Sequence, residues 1–150
     1  MRIRLVWVGR TRDPACAGWI QEYRRRIGGY CPVEFSEIRD ASGPTRAARE
    51  ARGLLARAGG RGLVVVLDER GREMDSTEFA RFLGSALETH TEVTFLLGGP
   101  DGLDPELTAE AGDRLSLSRL TFPHEMARVL LAEQIYRALT ILRGHPYHRD

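Results

Sequence analysis

The stretch Val93–Gly102 reads VTFLLGGPDG, an apolar strand that runs directly into a loop of small residues. A second unbroken apolar run, Leu63–Leu67, ends at Asp68, and a short strand at Leu115–Leu117 is followed by the polar loop Ser118–Pro123. Unbroken runs of Leu and Val are typical of strands buried in a parallel sheet. Because parallel strands end at one edge of a sheet, these three loops predict a single binding crevice at that edge.

Strands and helices alternate along the rest of the chain. The other predicted strands are Ile3–Val8 and Val33–Arg39. The predicted helices are Pro14–Ile27, with Asp13 as its N-cap, Thr45–Ala58, Ser76–Thr89, a short helix that begins at Asp104-Pro105, and Pro123–Leu142. This order predicts one α/β domain over residues 1–150, built on an open, mostly parallel sheet with helices on both faces.

The last predicted helix carries apolar side chains on more than one stripe, whereas a surface helix needs only one apolar face. It is either a central helix of the monomer or a helix packed between its own sheet and a second subunit, and for so small a chain we favour the second. Glu133 and Arg137 are spaced for an ion pair. The polar tail 145–150 has little to pack with. Trp7 and Trp19 are expected in the core, and His90 at a helix end.

The charge of the chain is unevenly distributed, although the net charge is only +1. Residues 1–62 hold 13 arginines against 6 acidic residues, and residues 63–150 hold 9 against 15. The excess indicates either a basic surface or solvated helices, and the run Arg24–Arg26 fits both interpretations. With no signal peptide and no apolar run of about 20 residues, we expect a cytoplasmic protein. Cys16 and Cys31 are then free thiols, and His145 with His148 supplies too few ligands for a metal site.

The glycines after the central strand have two interpretations. Gly98 and Gly99 let a ligand approach the backbone closely, but tight strand-to-helix turns use the same residues. The spacing is not G-x-G-x-x-G, and the Lys and Ser/Thr of a P-loop are missing, so dinucleotide and triphosphate sites are not supported. His124, beside Pro123, is either a helix-capping residue or a functional one.

Four segments carry a resemblance that covers essentially the whole chain: 98–103 (GGPDGL), 116–124 (SLSRLTFPH), 128–138 (RVLLAEQIYRA) and 145–149 (HPYHR). Together they resemble the ribosomal RNA large subunit methyltransferase H family of the SPOUT class. The resemblance implies a SPOUT-type α/β fold with a C-terminal trefoil knot, a homodimer, and S-adenosylmethionine as methyl donor. The implied reaction is methylation of N3 of a pseudouridine in the helix 69 loop of 23S ribosomal RNA, with no metal and no membrane.

The resemblance also implies two sets of site residues. The implied cofactor-binding residues are Leu67, Asp68, Gly98, Gly99, Ser118, Arg119, Leu120, Thr121, Phe122 and Pro123. The residues implied around the acceptor are His124, Arg137, Tyr147, His148 and Arg149.

The chemistry of the acceptor suggests roles for the second set. N3 of pseudouridine must lose a proton, so His124 or His148 is a candidate base. Arg137 and Arg149 are candidates to stabilise the negative charge that develops on the base or to bind nearby phosphates. Tyr147 is a candidate to stack on a base. We expect the tail of one subunit to close over the donor held by the other.

Two other functions fit the same residues: a non-catalytic ribosome- or RNA-binding module, and a SPOUT enzyme that acts on another RNA. Because an isolated dimer of 16.8 kDa chains offers little surface for one RNA hairpin, we expect assembled ribosomes as substrate. The arginine-rich first half of the chain is the expected docking face.

Overall fold

The computed structural model describes residues 1–149, so of the predicted domain only Asp150 lies outside the described residues. Every predicted strand and helix is present, with shifts at some ends. The elements are β1 (Arg2–Val8), α1 (Pro14–Gly28), β2 (Val33–Ile38), α2 (Arg46–Ala58), β3 (Leu63–Glu73), α3 (Ser76–Thr89), β4 (Glu92–Leu97), α4 (Pro105–Glu110), β5 (Asp113–Ser116) and α5 (His124–Leu142).

The described strands form one parallel sheet in the order β2-β1-β4-β3-β5. The central strand β4 is buried along its whole length. It pairs with β1 through Trp7 and Leu97, and with β3 through Val66 and Leu96. The predicted open parallel sheet is therefore confirmed, and the pairing of β4 with β1 and with β3 ends at nearly the same level. The trefoil knot, which concerns how the C-terminal segment is threaded, stays a prediction.

Two separate apolar cores show that helices cover both faces of the sheet, as predicted. Ile3, Leu5 and Trp7 of β1 belong to the larger core, together with side chains of α1, α3 and α5. Val6 and Val8, which alternate with them, belong to the smaller core against α2 and α4. Trp7 is 5% exposed and is a core residue, as predicted.

Local capping explains where two of the helices begin and end. The Asp13 carboxylate accepts hydrogen bonds from the N–H groups of Ala15 and Cys16, which confirms the predicted N-cap of α1. His90 is the C-cap of α3, as predicted. Both cysteines are free. Among the described residues, no helix combines the length and apolar character needed to span a bilayer.

Strand β3 is longer than the apolar run Leu63–Leu67 that predicted it. Its register against β5 shifts between Leu67 and Arg72, and the strand then continues to Glu73. Gly71 permits this irregularity, because a Cβ there would lie 2.7 Å from the carbonyl carbon of Arg114. The continuation is polar and exposed, so a hydrophobic pattern does not reveal it.

The prediction that Trp19 lies in the core is wrong. Its side chain is 52% exposed and stacks on Tyr23 with ring centroids 5.8 Å apart. The buried stripe of α1 is formed by Ile20, Tyr23 and Ile27. Trp19 precedes that stripe by one residue, about 100° around a helix of 3.6 residues per turn.

A glycine pair before β3 gives a test of the packing. Gly62 has φ +70°, and a Cβ there would lie 2.0 Å from the carbonyl oxygen of Glu92, whereas Gly60 has φ +64° and open space around it. We expect Gly60→Ala to lower the free energy of unfolding by about 1 kcal/mol, from the left-handed backbone alone. Gly62→Ala must also displace the start of β4, so we expect a loss of at least about 3 kcal/mol. Urea unfolding measures both; equal losses would contradict the close approach.

Candidate functional site

A cavity of about 550 Å³ opens where β4 and β5 end, beside residues 67–70 in the middle of β3. Its size is typical of small-molecule sites. The predicted cofactor residues in its wall are Leu67, Asp68, Gly98, Gly99, Ser118, Leu120, Thr121 and Phe122, and His124 joins them. The structure therefore brings the three predicted segments into one crevice, although Asp68 lies within β3 and not in a loop after it. The role of each residue there stays a prediction.

Two residues of the predicted cofactor set lie outside the cavity wall. Arg119 points into solvent with its side chain 88% exposed, and its Nε is 3.9 Å from Glu73. Pro123 is the residue before α5 and is exposed. Both belong to the loop that shapes the cavity, but neither side chain faces it.

Asp68 is the polar side chain best placed for a ligand. Its side chain is 7% exposed, and its Oδ1 accepts a hydrogen bond from the N–H of Arg70 at 3.0 Å. Its Oδ2 is buried and has no hydrogen-bond partner among residues 1–149; the nearest cation, Nη1 of Arg114, is 3.8 Å away. A buried carboxylate oxygen without a donor is costly, so this atom can accept a hydrogen bond from a ligand in the cavity.

The glycine loop is held in place by residues that sequence reasoning missed. The buried carboxylate of Glu50, on α2, lies 3.5 Å from the position that a Cβ of Gly99 would occupy. Arg46 pairs with Glu50 at 2.8 Å and with Asp101 at 3.2 Å. Gly98 has no room for a side chain, because a Cβ would lie 2.7 Å from the carbonyl oxygen of Gly102. Helix α2 therefore supports the glycine loop from behind through Arg46, which pairs with both Glu50 and Asp101.

Side chains in the first turns of α5 form hydrogen bonds with the loop after β1. Arg128 is fully buried and donates to the carbonyl oxygen of Val8 at 2.6 Å and to Oγ1 of Thr11 at 2.9 Å. The Glu125 carboxylate accepts from the N–H groups of Arg12 and Asp13, both at 2.9 Å, and these bonds hold the pKa of Glu125 below its usual range. The sequence does indicate a buried partner for Arg128, because Arg128 lies inside an apolar stretch of α5, where an unpaired charge is rarely tolerated.

His124 is the first residue of α5 and is half-buried in the cavity wall. Burial and the nearby Arg128 cation lower the pKa of His124, although Glu125 opposes the shift. The imidazole is therefore neutral near pH 7, as a proton acceptor must be. Its place in the wall favours a functional residue over the capping alternative.

The C-terminal tail packs against α5, which corrects the expectation that it has little to pack with. The Tyr147 hydroxyl donates to the Glu133 carboxylate at 3.0 Å, and its ring lies 4.7 Å from that of Tyr136. Burial, together with Tyr23 and Glu133, raises the pKa of Tyr147. Tyr136 on α5 thus gives the tail an apolar packing surface that the composition of the tail does not indicate.

Arg137 on α5 also contacts the tail. Its guanidinium pairs with Glu133, as the spacing predicted, lies 5.0 Å from the centre of the Tyr147 ring, and approaches Nδ1 of His148 at 3.4 Å. Arg149 is exposed. Arg137, Tyr147 and His148 therefore form one cluster, which we call the tail cluster.

The tail cluster and the cavity are far apart within one chain. Arg137 lies thirteen residues beyond His124 on the same helix, about 20 Å at 1.5 Å per residue. None of the tail-cluster side chains lines the cavity among the described residues. One chain therefore does not bring all the predicted acceptor residues to one point. Within residues 1–149, no group of three or more His, Cys, Asp or Glu side chains is placed to hold a metal ion.

Comparison with known proteins places this chain among methyltransferases. The family model described as "Predicted SPOUT methyltransferase" matches residues 1–148. Ribosomal RNA large subunit methyltransferase H from Anaeromyxobacter dehalogenans (strain 2CP-C) is 46% identical over 153 residues, covering 99% of this chain and all of that protein. The protein of the same name from Trichlorobacter lovleyi is 41% identical, with 99% of each chain covered.

Solved structures share the fold at low sequence identity. The tRNA (m1G37) methyltransferase from Aquifex aeolicus is 13% identical with a TM-score of 0.59, covering all of this chain and 76% of that one. A Legionella pneumophila protein solved with the cofactor SAM bound is 10% identical with a TM-score of 0.52, covering 92% of this chain and 66% of that one.

The ion pair behind the glycine loop predicts a loss of ligand affinity. In Glu50→Ala, Arg46 loses its buried partner and Gly99 its support, so we expect S-adenosylmethionine to bind about tenfold more weakly, since the loop must be ordered on binding. Asp101→Asn removes only the exposed side of the same network and should change affinity by less than about threefold. Titration calorimetry measures both; equal effects would show that Glu50 does not support the loop.

Proposed function

This chain belongs to the SPOUT methyltransferase family, and from that premise we propose that it methylates N3 of a pseudouridine in the helix 69 loop of 23S ribosomal RNA. The observation that carries the proposal is the full-length match to relatives named ribosomal RNA large subunit methyltransferase H. The cavity at the sheet edge, formed where the resemblance implies the cofactor loops, supports it.

SPOUT methyltransferases use S-adenosylmethionine, and the residues of the cavity fit that cofactor. The unpartnered Oδ2 of Asp68 would accept a hydrogen bond from a ribose hydroxyl or an amino group. Gly98 and Gly99 leave the backbone open to close approach, and Leu67 and Phe122 supply apolar surface. When bound, the cofactor supplies an electrophilic methyl group, so the protein's task is positioning and charge stabilisation.

The acceptor needs a group that removes the N3 proton. His124 lies in the cavity wall and is kept neutral by burial and by Arg128, so it can accept that proton. The pseudouridine ring then carries negative charge, which the cationic side chains of the tail can stabilise. Arg137 shares its charge with Glu133, whereas Arg149 is exposed and available to the substrate.

We further propose that the site is completed by a second copy of the chain. The 20 Å between His124 and Arg137 along α5 prevents one chain from placing the tail cluster over its own cavity. Leu120, in the cavity wall, and Met126, in the first turn of α5, are large apolar side chains that are 72% and 49% exposed, and Trp19 on α1 is 52% exposed. A second copy that covers them would bring its own tail towards this cavity, so a homodimer supplies both halves of the site.

The proposed place of action is the cytoplasm, on assembled ribosomes. Mapping of modified nucleotides tests the function directly. When the gene is disrupted in its host, we expect 23S ribosomal RNA to lose one methyl group from a pseudouridine in the helix 69 loop. The wild-type gene should restore it, and Asp68→Asn, which weakens the proposed cofactor contact, should restore less. Mass spectrometry of RNA fragments reads the result.

An unchanged helix 69 loop with a methyl lost from another RNA would point to a different substrate. An unchanged RNA, together with no binding of S-adenosylmethionine at millimolar concentration in calorimetry, would point to a non-catalytic RNA-binding module.

The shared site predicts complementation between two inactive variants. Gly99→Arg fills the cavity of its own chain, and His148→Ala damages the tail cluster. A co-expressed heterodimer, purified through two different tags, keeps one undamaged site of two and should show about half of the wild-type activity. Each homodimer serves as a control and should be inactive while keeping the wild-type circular dichroism spectrum. A heterodimer as inactive as its parents would contradict the shared site.

A further inference from the structure

Helix α2 and the loop before it hold an excess of positive charge. Residues 39–61 contain six arginines but only two acidic residues, Asp40 and Glu50. Glu50 is buried and bound by Arg46, so it does not offset the charge of the exposed surface. The helix itself therefore presents only positive charge to solvent.

Five of these arginines are exposed and lack a carboxylate partner among residues 1–149. Two of the five, Arg57 and Arg61, lie in the last turn of α2 and beyond it, at the end of the helix away from the cavity. Arg39, Arg49 and Arg52 are exposed, and no Asp or Glu oxygen within residues 1–149 approaches them to 4.0 Å. Arg49 makes only one hydrogen bond, to the carbonyl oxygen of Ser42 at 3.4 Å. In contrast, Arg25 on α1 is equally exposed but pairs with Glu22 at 2.7 Å. We call Arg39, Arg49 and Arg52 the α2 basic face.

The basic face does not serve the stability of its own helix. Arg49 lies just beyond the first turn of α2, where a positive charge opposes the helix dipole, and no acidic residue in that turn offsets it. Thr45 makes no capping hydrogen bond there. We therefore expect these arginines to bind a partner that carries negative charge.

The position of the basic face suits the substrate of the proposed reaction. Arg46 connects α2 to Asp101 in the glycine loop, so the helix begins beside the cavity. Helix α2 packs on the sheet face opposite to α1 and α5, which carry the exposed apolar residues Trp19 and Met126. A second copy that covers those residues leaves the basic face open.

We propose that Arg39, Arg49 and Arg52 bind the phosphate backbone of the substrate RNA beside the target nucleotide. The inference rests on the proposed function and assigns it a docking surface. Arg49 and Arg52 lie one helical turn apart, about 4.5 Å in rise, so they reach neighbouring phosphates on one strand. The planar guanidinium binds phosphate oxygens through two parallel hydrogen bonds. Such contacts position the RNA without reading its sequence.

Kinetics with ribosomes test the proposal. In Arg49→Gln/Arg52→Gln we expect the KM for ribosomes to rise about tenfold, with kcat and the KM for S-adenosylmethionine unchanged. The slope of log affinity against log salt should become shallower by about 1.4 to 1.8, the value for two phosphate contacts. Arg49→Lys/Arg52→Lys keeps both charges and should recover most of the affinity.

A matched control removes the same charge from another surface. Arg72 and Arg81 are exposed and likewise lack a carboxylate within 4.0 Å among the described residues, but they lie by a groove formed by β3 and α3. Arg72→Gln/Arg81→Gln should leave the KM for ribosomes near the wild-type value. If the two double variants behave alike, the effect is one of total charge and the docking surface is wrong.

Filter binding to protein-free 23S RNA, without the methyl donor, separates the remaining outcomes. Weaker binding by the α2 variant, even if no enzyme form transfers a methyl group, would support the docking surface while refuting the proposed function. If this variant binds protein-free RNA as the wild type does but binds ribosomes more weakly, its partner is a ribosomal protein, and the phosphate contact is refuted.

Discussion

The parallel pairing of β4 between β1 and β3 is the constraint on which the rest of the structure depends. Neighbouring parallel strands must be joined by crossover connections, here helices that cover both faces of the sheet. The carboxyl ends of the strands therefore lie at one edge. The register that pairs Val66 with Leu96 brings Asp68 of β3 and the loop after β4 to the same level. The cavity, with Asp68 and the two glycines in its wall, follows from that register.

Helix α5 organises the molecule around that sheet. At its start, Arg128 and Glu125 hold the loop after β1, and His124 enters the cavity wall. Near its end, Glu133 holds Tyr147 and so fixes the tail. One rigid helix therefore separates the two halves of the proposed site by a set distance. This separation is the physical reason for proposing that two chains build one active centre.

Charge is used differently inside the protein and on its surface. Arg128 is buried where backbone and hydroxyl oxygens take its hydrogen bonds, and Arg4 is buried against Glu92 at 3.0 Å. Such desolvated charges cost free energy unless their partners are well placed. The arginines of the α2 basic face are solvated and have no carboxylate partner within residues 1–149, so their charge is available for long-range attraction.

Sequence alone determined the order of the elements, the parallel sheet with its two helical layers, and the crevice formed by residue 68 and the loops at 98–99 and 118–122. These follow from local signals, because apolar runs, caps and glycines act within a few residues of themselves. The resemblance added the family. Only the tertiary structure decided that Trp19 is exposed, that β3 continues to Glu73, and that the tail packs on α5. It alone revealed Glu50 and the oxygens that Arg128 binds, because each of these features depends on contacts between residues distant in the chain, which no local pattern records.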